Sequence, residues 1–404
     1  MTTSNNTRIT HPPLEDEVQE NHEFQSKKVV TLSIAHWIHD TYTGFLPAML
    51  PDLITRLAIS KTQAGLLTFY IQGPSLLQPL IGHIADKVSL RYLVILAPTI
   101  VAILMTLIGI TPTYLLVSII LLVVGVNSAS LHAVAPAMAG YLSGKQLGKG
   151  MGFWMVGGEL GRTLGPIIVV TAVGFLTYKG LPLLTVFGVL ASIFLYIRLK
   201  DVSGKVNGIE HKMKFNDALV KMKHIMLPIL AIVAAVGLMR SAITTFLAVY
   251  LTEHGASFWL AGASLTLVEA AGVFGALLGG SISDKIGRRM IVLLSLILTP
   301  PLLFFFIRTD GWLQIVILLL LGFTALSIYP VFMAISQECC PGNRALANGV
   351  YNSISFAVGS GAGILLGVLG DAYGLQWAYN FSVYVILLGI PFVFMLPDRV
   401  IHKA

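Results

Sequence analysis

Gly280-Ser-Ile-Ser-Asp284-Lys285-Ile-Gly-Arg288-Arg289 decides how this chain folds, because a near copy stands 198 residues earlier. The earlier stretch is Gly82-His-Ile-Ala-Asp86-Lys87-Val-Ser-Leu-Arg91, with glycine, aspartate and the final arginine at the same spacing. Each copy follows one long apolar run and precedes another. A repeat of about half the chain means two similar halves in tandem.

The solvent these halves face follows from composition. Of 404 residues, 55% are apolar and only 11% charged, and mean hydropathy is +0.82. A water-soluble domain carries roughly 25% charged residues. Apolar stretches of about 20 residues, long enough to cross a hydrocarbon core as a helix, recur along the chain. An all-α, polytopic membrane protein is the expectation. Its two cysteines, Cys339 and Cys340, are adjacent, so neither a disulfide framework nor zinc spacing is present.

Twelve spans are predicted, at 29–53, 62–84, 91–110, 113–139, 148–175, 181–199, 225–251, 259–282, 289–307, 312–336, 345–369 and 374–397. The polar stretch 200–224 reads as a linker between two blocks of six, 29–199 and 225–397. The ends, 1–28 and 398–404, read as tails, and the first lacks the basic start and apolar core of a signal peptide. Putting both tails in the cytoplasm places 20 of the 26 basic residues inside and Arg56, Lys61, Lys179 and Arg308 outside. The predicted setting is therefore a plasma (inner) membrane with both termini cytoplasmic. The net charge of +7 reflects this bias, and no nucleic-acid partner is expected.

The halves match beyond the loop. His39 precedes Phe45-Leu46 as Arg240 precedes Phe246-Leu247; Ser130-Leu-His132 aligns with Ser327-Ile-Tyr329, and Gly152-Phe-Trp154 with Gly349-Val-Tyr351. Parallel six-span repeats with a site at the midplane are a known transporter plan.

On these residues the chain resembles the major facilitator superfamily, whose signature loop the doubled stretch matches. Ser89 stands where the second copy has Gly287. His36-Trp-Ile-His39-Asp40, Ser75-Leu-Leu-Gln-Pro79 and Gly157-Gly158 before Gly165-Pro166 resemble its fosmidomycin-resistance group of efflux carriers. The spacing of Gly152, Gly161, Gly165 and Pro166 is similar to the span-five signature of drug/proton antiporters, with Val169-Val170 where that signature ends in two glycines. The resemblance implies a twelve-helix fold in two halves, export of a small organic compound, and exchange for protons.

The residues themselves supply candidates for mechanism. Asp86, Lys87 and Arg91, with Asp284, Lys285, Arg288 and Arg289, are expected to pair at a gate. Gly157, Gly161 and Gly165 lie on a four-residue grid, with Gly152 five residues before it, where another helix packs closely, and Pro166 can bend that helix. Charges within spans are costly and mark a pathway. His36, His39 and Asp40 share one face of span 1 and, with Glu269, Glu159 and Arg162, are the proton-handling candidates. Arg240, whose fork suits carboxylate, phosphate or phosphonate, leads the substrate candidates, followed by His39, His132, Asn127 and Tyr329. No nucleotide-binding loop occurs, so an ion gradient is the expected energy source. No cofactor is expected. One face of one helix supplies too few ligands for a metal, and no nucleophile–base pair points to an enzyme. A monomer with protons, a small-molecule substrate and the lipid bilayer as partners completes the expectation; uptake of an organic acid is the competing direction.

Overall fold

The computed structural model describes residues 23–85, 89–143, 147–200, 202, 215–339 and 344–397. Helices occupy all twelve stretches read from the sequence. Span 1 is Ser26–Thr43 with Phe45–Leu57, span 2 is Lys61–Gln72 with Gln78–Ala85, and span 3 is Arg91–Leu107. Spans 4, 5 and 6 are Tyr114–Ser143, Leu147–Gly180 and Thr185–Leu199. Span 7, Phe215–Thr244 with Leu247–Glu253, begins inside the stretch read as linker. Spans 8 and 9 are Phe258–Ile286 and Arg288–Phe306, and span 10 is Gly311–Leu326 with Ile328–Cys339. Span 11 is Arg344–Tyr373, and span 12 is Leu375–Val385 with Ile390–Val393.

Among the described residues, nine helical stretches are long and apolar enough to cross a membrane. One of them, Gly150–Leu199, contains spans 5 and 6. Spans 1 and 2 stand outside this set; each is interrupted, at Gly44 and at Gly73–Leu77. Large apolar side chains such as Leu115, Phe175 and Trp312 stand exposed around the outside, which suits a hydrocarbon solvent and not water.

Span 5 lies along span 1, and small residues permit the approach. A Cβ on Gly157 would sit 2.3 Å from the Ser33 carbonyl oxygen, on Gly161 2.6 Å from that of Trp37, and on Gly165 2.4 Å from that of Thr41. Gly152 is exposed and meets nothing within 4 Å. Pro166 stays within the helix. The next amide, Ile167 N–H, donates to Thr266 Oγ1 of span 8 at 3.2 Å, a bond that crosses between the halves.

The halves also join at the end away from Gln25. Span 11 delivers Asp371, whose carboxylate accepts from Lys61 N–H at 2.7 Å, Thr62 N–H at 2.8 Å and Thr62 Oγ1–H at 2.6 Å. It thereby caps the amino end of span 2, where unsatisfied amides and the helix dipole favour an anion. Lys61 Nζ reaches Glu253 at 2.9 Å, and a Cβ on Gly65 would lie 2.5 Å from the Gly363 carbonyl oxygen. Neither Asp371 nor Glu253 carries a local sequence signal for this role, because the partners lie far apart along the chain.

Candidate transport site

Three helices of the first half bring their polar groups to one place. Span 1 supplies His36, His39 and Asp40, all buried; span 4 supplies His132; span 5 supplies Trp154, Glu159 and Arg162. Asp40 sits at the centre. Its Oδ1 is 3.0 Å from His39 Nδ1 and 3.7 Å from His132 Nε2. Its Oδ2 is 3.2 Å from His36 Nε2 and 3.3 Å from Arg162 Nη1. Arg162 also pairs with Glu159 one turn away on the same helix. Each charge thus has an opposite partner, which a low-dielectric interior demands.

Backbone carbonyls fix the histidines. His36 Nδ1 is 2.9 Å from the Trp154 oxygen and His132 Nδ1 is 2.9 Å from the Ser128 oxygen. A carbonyl only accepts, so each Nδ1 carries a hydrogen and each Nε2 faces the centre of the cluster. The Trp154 ring stacks on His36 at 3.9 Å between centroids. Gly158 leaves room for that imidazole, since a Cβ there would lie 2.4 Å from its Cε1. Among the described residues, His39 Nε2 is buried with no hydrogen-bond partner. Arg162, with 42% of its side chain exposed, and His132, with 26%, look out from the cluster.

The second half builds a different site at the equivalent positions. Arg240, in the register of His39, lies with its guanidinium carbon 4.3 Å from the centroid of the Tyr329 ring, in the register of His132. Tyr351, in the register of Trp154, is within Coulombic range of Arg240. Span 8, which carries Glu269, packs against span 5 with its Arg162 and span 7 with its Arg240, so Glu269 lies on the helix that touches both halves' arginine-bearing spans. The repeat places histidine–tryptophan chemistry in one half and arginine–tyrosine chemistry in the other. Asn127 stands apart from both, donating from Nδ2 to the Ala97 oxygen of span 3 at 3.2 Å.

Of the doubled loop, Asp86 and Lys87 lie outside the described residues. Arg91 donates to the Lys200 carbonyl oxygen. In the second copy, Arg288 Nη2 meets Asp284 Oδ1 at 2.6 Å and Glu338 Oε1 at 2.8 Å. Arg289 donates from Nη2 to the Leu396 oxygen at 2.6 Å, and the Lys285 side chain is exposed. Gly287 turns the chain at φ +101°, a conformation that suits glycine. Glu338, at the end of span 10, gave no sign in the sequence of being the partner of Arg288. These pairs stay within the second half.

The fold and this two-sided site define a multi-pass membrane transporter, and the chain belongs to the Major Facilitator Superfamily, which it matches over residues 32–364. It is a transporter and not an enzyme. It is 23% identical over 381 residues to the Fosmidomycin resistance protein of Escherichia coli K12, covering 92% of this chain and 93% of that one. It is 26% identical over 391 residues to the uncharacterized MFS-type transporter YfnC of Bacillus subtilis 168, covering 92% of each. Solved structures share the fold. A bacterial homologue of the lysosomal transporter Spinster, in an inward-facing, unoccupied conformation, superposes with a TM-score of 0.77 at 14% identity, over 92% of this chain and 96% of that one. The nucleoside transporter NupG gives 0.73 at 16%, over 91% and 98%.

Proposed function

We propose that this protein exports a small organic anion in exchange for protons, by rocking one six-span half against the other. The observation that carries the reading is that span 8, which bears Glu269, packs against both span 5 and span 7, which bear Arg162 and Arg240 and belong to opposite halves. Arg240 holds the anionic group, because a guanidinium keeps its charge and its fork matches carboxylate, phosphate or phosphonate. Tyr329 backs it with its ring face. Arg162 faces the same space from the other half, and Asp40 and Glu159 hold it in place.

Glu269 exchanges the proton. Ionised, it accepts a hydrogen bond from a hydroxyl or ammonium group of the cargo; protonated, it loses that acceptor charge. Cargo and proton then compete for one carboxyl group, which is the requirement for antiport. Similarity to a fosmidomycin resistance protein supports the outward direction. The contrary direction follows if protonation of Glu269 instead frees both arginines, so that anion and proton travel together.

Transport into inside-out vesicles separates these. With fosmidomycin or a simple phosphonate as probe, an acid vesicle interior should drive accumulation, and Arg240→Gln should weaken binding of the anion. Accumulation that ignores the pH gradient would remove proton coupling. Accumulation only when the outer bath is acid would replace export by uptake. Unchanged affinity in Arg240→Gln would remove the anion pocket.

A further inference from the structure

We propose that His36, Asp40 and His132 form a binding site for a divalent first-row transition-metal ion such as Zn2+ or Co2+, with one coordination position left open. The three donor atoms lie within 4.8 Å of one another. His36 Nε2 is 3.1 Å from His132 Nε2 and 3.2 Å from Asp40 Oδ2, and His132 Nε2 is 3.7 Å from Asp40 Oδ1. Zinc–ligand bonds of about 2.0–2.1 Å at tetrahedral angles set donors about 3.3 Å apart. The observed separations bracket that value.

Hydrogen positions strengthen the case. With both Nδ1–H groups donating to the Trp154 and Ser128 carbonyls, two imidazole lone pairs and a carboxylate face one point. Donors at these separations need a positive centre between them, and the 3.1 Å between His36 Nε2 and His132 Nε2 makes a shared proton the competing occupant. Carbonyls that fix the ligating tautomer, and hydrogen bonds to a ligating carboxylate, are what metal-binding side chains require around them. Asp40 has such bonds from His39 Nδ1–H at 3.0 Å and Arg162 Nη1–H at 3.3 Å. The Trp154 ring and the space left by Gly158 set the plane of His36.

Local charge permits the ion. Asp40 and Glu159 together exceed Arg162 by one negative charge, so the Arg162 guanidinium does not by itself bar a cation. The donor set of two imidazoles and one carboxylate selects zinc-like ions over Mg2+ or Ca2+, which prefer oxygen. The partial exposure of His132 leaves one side of the site open, where water or an anion completes the shell. The sequence showed only the span-1 ligands; His132, 96 residues on, is the one the fold adds.

Binding tests this without any transport measurement, so its failure leaves the export reading untouched. The full chain, purified in detergent with a histidine-free tag and stripped with chelator, is titrated with Co2+. One equivalent should bind at micromolar concentration with intense visible d–d bands, and Zn2+ should displace it. His132→Gln should weaken binding by more than the roughly 100-fold that loss of an outer-shell partner costs, while Arg240→Gln leaves it intact. X-ray absorption of the zinc-loaded wild type, which needs no variant to fold, should show two imidazoles and oxygen ligands. Absence of stoichiometric binding, binding that survives His132→Gln, or sulfur ligands from Cys339 and Cys340 would overturn the site and leave a shared proton as its occupant.

Discussion

Replacing Gly161 by alanine puts the packing of span 5 on span 1 to a quantitative test. The new Cβ would lie 2.6 Å from the Trp37 carbonyl oxygen, 2.7 Å from Asp40 Cβ and 2.8 Å from Thr41 N, against an ordinary contact that begins at 3.4 Å. Two of the three obstacles are backbone, so the helices must separate by the missing 0.8 Å. Overpacking of this kind costs about 1–3 kcal/mol. Alanine returns about 1 kcal/mol through its higher helix propensity, leaving a net loss of roughly 0–2 kcal/mol from those two terms. Gly152→Ala is the matched control. It sits on the same helix with no atom within 4 Å, so only the propensity gain of up to about 1 kcal/mol remains. Gly161→Ala should therefore melt below Gly152→Ala in detergent, by the roughly 1–3 kcal/mol of overpacking that it alone meets. Separation of the helices should also loosen the Arg162–Asp40 pair and reduce transport in Gly161→Ala. Equal melting of the two variants would refute the close-packing argument.

Asp371→Asn should weaken the joint between the halves, since the neutral amide has one acceptor oxygen for three donors and no charge for the helix N-terminus; a loss of about 0.3–1 kcal/mol shifts the open–closed equilibrium up to several-fold. Spin labels at Thr113 and Tyr373 would read the wider separation, and an unchanged distance distribution would count against the latch. Glu338→Gln should lower thermal stability by about 1–3 kcal/mol, because buried Arg288 loses a charged partner; Arg288→Lys, with no fork, should not recover it. Tyr329→Leu should weaken anion binding as Arg240 loses the ring face, a contact of about 0.5–2 kcal/mol, whereas Tyr329→Phe keeps the face and should bind nearly as wild type.

Most of the architecture was legible in the chain itself. Span length, the basic bias of the loops and the doubled Gly-x-x-x-Asp loop depend on periodicity and composition, which are local properties. The register of the repeat also carried function further than composition could. It aligned His39 with Arg240, His132 with Tyr329 and Trp154 with Tyr351, and the fold gathers each set into its own half. The intramembrane charges were equally visible, because burying a charge in hydrocarbon is costly enough to mark it.

Partnership was not legible, and the reason is physical. Who pairs with whom depends on distances between helices far apart in sequence, and no pattern within one helix encodes them. His36 and Asp40 were one face of span 1 until span 4 brought His132 within 3.1 Å of His36 and turned that face into a three-donor cluster. Arg162 was read beside Glu159, its neighbour along the helix, yet it also holds Asp40 across the groove that Gly161 opens. Local pattern was enough to set the two halves, their apolar surface and which charges they carry into the membrane. Packing between distant segments was needed to tie the second copy of the loop to its own half through Glu338, and to make Asp371 the joint between the halves at the opposite end.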